Sequence, residues 1–134
     1  MISLAKAKKA LEAGEEKAKA LGIAVTIVIV DTHGAVIAAS RMDGALNISP
    51  QFAYQKAYTS ARLGFSSSGI AENAKEGKPY FGITSLFGGK ITSLAGGVPV
   101  KIGDKLVGGV GVGGSYDTSQ DEACAQETAK ILTA

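Results

Sequence analysis

The sequence predicts an α+β protein, a single antiparallel sheet flanked by helices, and three observations carry the prediction. Helix-periodic stripes open and close the chain. Strand-like runs come as two hairpins, one early and one late, with helical sequence between them. No alternation of strand and helix of the parallel kind is present, so helices pack on an antiparallel sheet.

The elements follow in order. Residues 3–21 predict a helix, because Leu4, Ala7, Leu11, Ala18 and Leu21 recur at helical spacing. Ser3 is its N-cap and Gly22 its stop, while Gly14 lies on the same stripe and is a poor helix former. Residues 23–30 are largely β-branched and too apolar to be half solvated, so they predict a central strand covered on both faces. Asp31-Thr32-His33-Gly34 is a turn, and residues 35–41 return as the second strand of a hairpin. Ser49-Pro50 opens a second helix with proline in its tolerated first position. Its stripe, Ala53, Ala57, Ser60 or Ala61 and Gly64, is small enough for close approach to a sheet. Ser66-Ser67-Ser68 opens a short helix to about Lys75, and Pro79 biases Lys78 out of it.

Residues 90–94 predict a short strand. Residues 98–102 and 105–112 predict a hairpin joined by Gly103-Asp104, with Pro99 placing the first of these at an edge or a bulge. Asp117 with Gln120 resembles a capping box for a last helix that ends near Leu132. No repeat or linker divides residues 1–134, which predict a single domain.

Composition narrows the function. The net charge is +2, Trp is absent, aromatics make up 6%, and no basic face emerges, so nucleic-acid binding is disfavoured. No run is long enough to cross a bilayer, and the start lacks the charged and apolar regions of a signal peptide, so a cytoplasmic, non-membrane protein is expected. The one cysteine, Cys124, forms no internal disulfide and is expected in the core.

Candidate chemistry is sparse. Gly109-x-Gly111-x-x-Gly114 matches the dinucleotide fingerprint in letters only: it lies in a late hairpin strand, and the chain ends 20 residues after Gly114. A glycine-rich strand packed tightly under a helix is the expected meaning. His33, the only histidine, is either an exposed turn residue or a lone iron ligand. Arg41 either holds a ligand carboxylate through its forked donors or pairs with Asp43 at the turn. Lys56 is either a pocket cation or a solvated side chain whose stem covers apolar surface. Asp121 and Glu122 fall in the first turn of the last helix, where the macrodipole favours anions. Ser66–Ser68 lack the context of a serine nucleophile. Tyr54, Tyr58, Tyr80 and Tyr116 are possible neighbours of a flat cofactor, and spacing selects none of them.

Taken together, Val30-Asp31-x-x-Gly34, Arg41-Met42-Asp43-Gly44-Ala45, Ala53-x-x-Lys56-Ala57-x-Thr59, Gly96-Gly97-Val98-Pro99-Val100, Leu106–Gly114 and Gln120–Ala125 resemble the GlcG/HbpS-like family over nearly the whole chain. They are also similar to the C-terminal domain of some corrinoid adenosyltransferases. Ala95-Gly96-Gly97 stands where members commonly show three glycines. The resemblance implies a profilin-like or PAS-like fold, assembly as a homo-oligomer, and haem or a related tetrapyrrole as ligand.

The resulting expectation is a pocket between the second helix and the sheet for a tetrapyrrole or smaller anionic ligand. Arg41 and Lys56 neutralise carboxylates there, Asp43 orients Arg41, Gly96 and Gly97 offer amides, and His33 is the iron ligand. Two alternatives stand beside it. One is a haem-degrading or lyase-type enzyme with Asp43 and Lys56 as acid and base. The other is an accessory subunit without ligand.

Overall fold

The structure, a computed structural model, describes residues 1–134. Its regular elements are α1 (Leu4–Ala20), β1 (Thr26–Val30), β2 (Val36–Arg41), α2 (Ser49–Leu63), β3 (Gly97–Ile102), β4 (Lys105–Gly113) and α3 (Thr118–Thr133). The four strands form one antiparallel sheet in the order β2-β1-β4-β3. The architecture is the predicted α+β one.

Helices cover both faces. α2 lies across β4, β1 and β3 on one face; α1 and α3 pack together on the other, α1 against β1 and β2 and α3 against β3 and β4. All five residues of β1 are buried, as a central strand requires. Thr26, Val28 and Val30 face α2: Val28 and Val30 cluster with Ala53, Ala57 and Ala61, and the Thr26 hydroxyl is hydrogen-bonded to that of Ser49 at 2.8 Å. Ile27 and Ile29 face the other way, into a core with Val98, Val100, Val110 and Val112 and with residues of α1 and α3 such as Ala7, Ala10, Leu11 and Cys124.

Local signals explain most element ends. The Ser3 hydroxyl accepts the Lys6 amide and caps α1. Gly64 ends α2 in the left-handed conformation that glycine adopts without steric cost. Gly103-Asp104 forms the β3–β4 turn. The Asp117 carboxylate accepts the Ser119 amide as the N-cap of α3. Gln120 does not complete a capping box: its side-chain carbonyl accepts the Ser115 hydroxyl instead. Gly14 is no flaw in α1. It lies where α1 crosses α3, and a Cβ there would fall 2.2 Å from the Thr128 hydroxyl.

Two predicted elements are absent or reduced. Residues 90–94 form no strand, because no neighbouring strand offers them a ladder; the Thr92 amide is instead donated to the Thr59 hydroxyl at 2.9 Å. The predicted helix from Ser66 to about Lys75 shrinks to a 3-10 turn at Ser67–Ile70. Residues 64–96 form a long excursion of turns and three short 3-10 segments beside α2. No helix is long and apolar enough to cross a membrane.

Candidate functional site: a cation and aromatic face beside His33

β4 alternates Gly109-Val110-Gly111-Val112-Gly113, and the alternation sorts it between two layers. The three glycines face α2. A Cβ on Gly111 would sit 1.9 Å from the Ala53 carbonyl oxygen, and one on Gly109 would sit 2.6 Å from that of Ala57. Gly97 on β3 is under the same constraint, 2.3 Å from the Lys56 carbonyl. The glycine-rich run is therefore the seat of α2, and it leaves no hollow between that helix and the sheet for a ligand. This corrects the expected pocket position.

The five residues assigned to that pocket fall into two separate groups, Arg41 with Asp43 and Lys56 with Gly96 and Gly97. Arg41 ends β2 at one edge of the sheet, and Gly96 and Gly97 open β3 at the other edge, three strand spacings or about 14 Å away. The Arg41 guanidinium donates to the Ala45 carbonyl at 3.1 Å and to the Asn47 side chain at 2.9 Å, and it makes no ion pair with Asp43. Arg41 and Asp43, both exposed, border a shallow hollow of about 390 Å³ with Glu15, Lys19 and Met42. The Gly97 amide is taken by the Ser67 hydroxyl at 2.9 Å.

Lys56 is neither a pocket cation nor a solvated side chain. It is 1% exposed, and its ammonium donates to the Asp121 carboxylate at 3.0 Å and to the Val112 carbonyl at 2.9 Å. Its path runs beside Gly96, where a Cβ would meet the lysine Cδ and Nζ at 2.9 Å, so the glycine opens the way. Asp121 in turn accepts the Ser115 amide. Burial pushes the Asp121 carboxyl up from its ordinary value, and the Lys56 charge opposes that shift. The pair ties α2 on one face of the sheet to α3 on the other.

His33 lies at the opposite end of the β1–β2 hairpin from Arg41, about 17 Å away along five residues of strand. It is exposed on the turn, as one of its two expected readings has it, and its imidazole makes no hydrogen bond. The surroundings give this end its character. The Tyr54 hydroxyl donates to the Gly34 carbonyl, and Gly34, at φ +81°, has no room for a Cβ beside the Tyr58 ring. Arg62, one helical turn after Tyr58, donates to the His33 carbonyl and to the Tyr58 hydroxyl. Its guanidinium carbon lies 5.4 Å from the centre of the Tyr58 ring and 5.9 Å from that of Phe87. The Lys90 ammonium lies 5.3 Å from the Tyr58 ring centre.

Phe87 is 57% exposed and stands at φ +54°, the only residue other than glycine with positive φ. A bulky residue in that region is strained. Here it is held with its ring against Tyr58 and Arg62. Sequence reading missed Arg62, Phe87 and Lys90. The one local signal was Arg62 four residues after Tyr58, the spacing that makes side chains neighbours on a helix.

This end of the molecule thus places an exposed imidazole, the exposed ring of Phe87, the half-buried ring of Tyr54 and two cations around a buried Tyr58. No group of three or more His, Cys, Asp or Glu side chains is placed to hold a metal ion.

Comparison with known proteins places the chain. The profile of the family described as "Haem degrading protein HbpS-like" matches residues 2–130. An uncharacterized 15.0 kDa protein encoded in the dhaT-dhaS intergenic region of Citrobacter freundii is 33% identical over 128 residues, 96% of this chain and 89% of that protein. The corrinoid adenosyltransferase PduO of Salmonella typhimurium is 31% identical over 112 residues, 83% of this chain but only 33% of the transferase. Among solved structures, the PduOC:Heme complex superposes with a TM-score of 0.92 at 27% identity, covering 98% of this chain and 95% of that one. With the profile spanning nearly all its length and its architecture shared with these relatives, the chain belongs to the HbpS-like family.

Proposed function

We propose that this protein binds a tetrapyrrole, haem being the form to test first, on the face beside His33, and that it does so as an assembly of its own copies. The observation that carries the reading is the likeness over 98% of the chain to a structure described as a haem complex. The residues fit the group. Haem is flat and apolar with two carboxylates at one edge, and the face offers the rings of Phe87 and Tyr54 beside the cations of Arg62 and Lys90, with Tyr58 buried behind them. His33 supplies an imidazole free to meet iron, a common axial ligand. Bound haem would supply an iron centre for ligand or electron exchange; the chain's own residues orient the ring and neutralise its carboxylates.

Self-association has its own support. The segment 65–94 leaves Phe65, Tyr80, Phe81, Leu86, Phe87 and Leu94 each at least 41% exposed, an unusual concentration of apolar side chains in one stretch.

Haem titration of the purified protein tests the proposal. A saturable Soret band with fixed stoichiometry is expected. His33→Ala should move the band and change the ferric spin state, and Arg62→Ala with Lys90→Ala should weaken affinity by about tenfold or more without moving it, one decade for each 1.4 kcal/mol of lost charge-assisted contact. A band that both variants leave unchanged removes haem from this face, and the absence of any saturable band removes haem altogether.

A further inference from the structure

The two edges of the sheet are finished differently. On β3 the outward positions are blunted one after another. The Val112 amide is donated to the Gly96 carbonyl, so Gly96 points into the sheet and, by alternation, Gly97 and Pro99 point out. The Gly97 amide is capped by Ser67, Pro99 has no amide, and the next outward position follows a bulge at Val100/Lys101 and carries a lysine. Proline, bulges and lysine are the usual means of blunting an edge.

β2, the other edge, pairs with β1 alone. The Met42 amide is donated inward to the Val25 carbonyl, so Ala39 and Arg41 turn their amides and carbonyls outward. Nothing caps them. The strand, Val36-Ile37-Ala38-Ala39-Ser40-Arg41, has no proline, and its single charge is drawn aside, with the guanidinium fastened to Ala45 and Asn47. The one irregularity is a bulge at Ile37, skipped between Ala38 opposite Ile29 and Val36 opposite Val30, so the regular stretch of the edge is residues 38–41. α2 does not extend over β2, and Ala39 is an exposed small residue that keeps the edge open to a second backbone.

We infer that β2 pairs antiparallel with β2 of a second copy, about a two-fold axis at Ala39, so that two four-stranded sheets join into one of eight. The inference rests on the self-association reading above and names its interface. A strand edge needs another strand to satisfy it. An isologous antiparallel pair is self-complementary because each copy offers the same donors and acceptors in reverse order. Ala39 faces its own counterpart, and the regular pairing ends where Arg41 meets the bulge at Ile37 of the partner subunit. The reversal carries Val36 of each copy, 55% exposed, toward the other's Arg41 end, where Ile48 stands 45% exposed on the same face of the sheet. Two apolar side chains that are bare in one copy thereby find apolar neighbours, once at each end of the joint.

Sedimentation velocity on the full chain, with hydrogen exchange on the same samples, tests this. The wild type should sediment as an even-numbered assembly, and the Ala39 and Arg41 amides should exchange at least about tenfold more slowly than open-edge amides do. Ala39→Lys opposes two like charges at the axis and should halve the assembled mass and release that protection. Phe81→Ser, on the apolar excursion, should leave the protection intact. An assembled wild type whose β2 amides exchange freely overturns the inference and leaves self-association standing through another surface, as does an Ala39→Lys variant that folds by circular dichroism and keeps the wild-type mass. A wild type that is monomeric across the micromolar range overturns both. Protection that appears only when a foreign peptide is added assigns the edge to a different partner and also overturns the inference.

Discussion

β4 presents two different surfaces from one run of residues. Toward α2 it is glycine, and the helix rests backbone against backbone on Gly109, Gly111 and Gly113 through a matching stripe of Ala53, Ala57 and Ala61. Toward α1 and α3 it is valine, and those helices stand off on full side chains at Val110 and Val112. The sheet thus has a thin side and a thick side. The difference teaches how to read a glycine-dense strand: the letters that imitate a nucleotide loop are here the negative imprint of a helix. It also explains why a ligand has no room under α2, and why the candidate binding surface lies at the outer end of that helix, beyond its glycine seat.

The sharpest way to break the comparison is to add one carbon to the thin side and remove two from the thick side. Gly111→Ala places a Cβ 1.9 Å from the Ala53 carbonyl oxygen, backbone that cannot swing away. Urea denaturation should show a loss of about 3 kcal/mol or more, at the upper end of overpacking costs, or no cooperative transition. Val112→Ala leaves a fully buried cavity and should cost about 2 kcal/mol. If the glycine change proves the milder, the close seating of α2 is wrong.

Lys56 and Asp121 join the two sides, and removing one partner tests that joint. Lys56→Met strands a buried carboxylate and should cost about 3–5 kcal/mol near neutral pH, whereas Lys56→Met with Asp121→Leu should recover most of that loss. The pH dependence has a definite sign. With the lysine gone, nothing charged offsets the burial that raises the Asp121 carboxyl. The neutral acid is then the favoured form in the fold. The penalty of the single variant is smallest below the ordinary value of 3.8 and grows as pH rises through the raised one. A penalty that is flat from pH 3 to pH 8 would mean that the pair carries no charge.

What the sequence disclosed was local. Ser3, Ser49-Pro50, Gly103-Asp104 and Asp117 each act within a few residues of themselves, and each marks its element where expected, whereas Gly64, expected on the small stripe, ends α2. Apolarity alone misled at residues 90–94: Ile91 is buried, but against Tyr58 and Ile70 rather than in a ladder, and a strand cannot be told from a buried loop without knowing its neighbour. The ion pair of Lys56 was illegible because its partner lies 65 residues on. The candidate site was half legible. His33 was visible as the sole histidine, yet Arg62, Phe87 and Lys90 reach its vicinity only because residues 64–96 fold back beside α2, and no spacing rule records that return.

The smallest effect sharpens the thick side. Cys124, on α3, is wholly buried in the valine-lined core, where loss of water around the sulfur pushes its thiol up from 9.0 to about 11. The folded value is the raised one, so the stabilisation from keeping the thiol neutral is present in full below pH 9 and is lost as pH climbs through about 11. Cysteine reagents react with thiolate, which this environment suppresses twice, by shielding and by protonation. At pH 8 a disulfide-exchange reagent should find no reactive thiol in the native protein and one per chain after denaturation, with Val112→Ala speeding the native reaction. Prompt labelling of the native wild type would show α3 lifting readily from the sheet, and the thick side would then be the looser of the two.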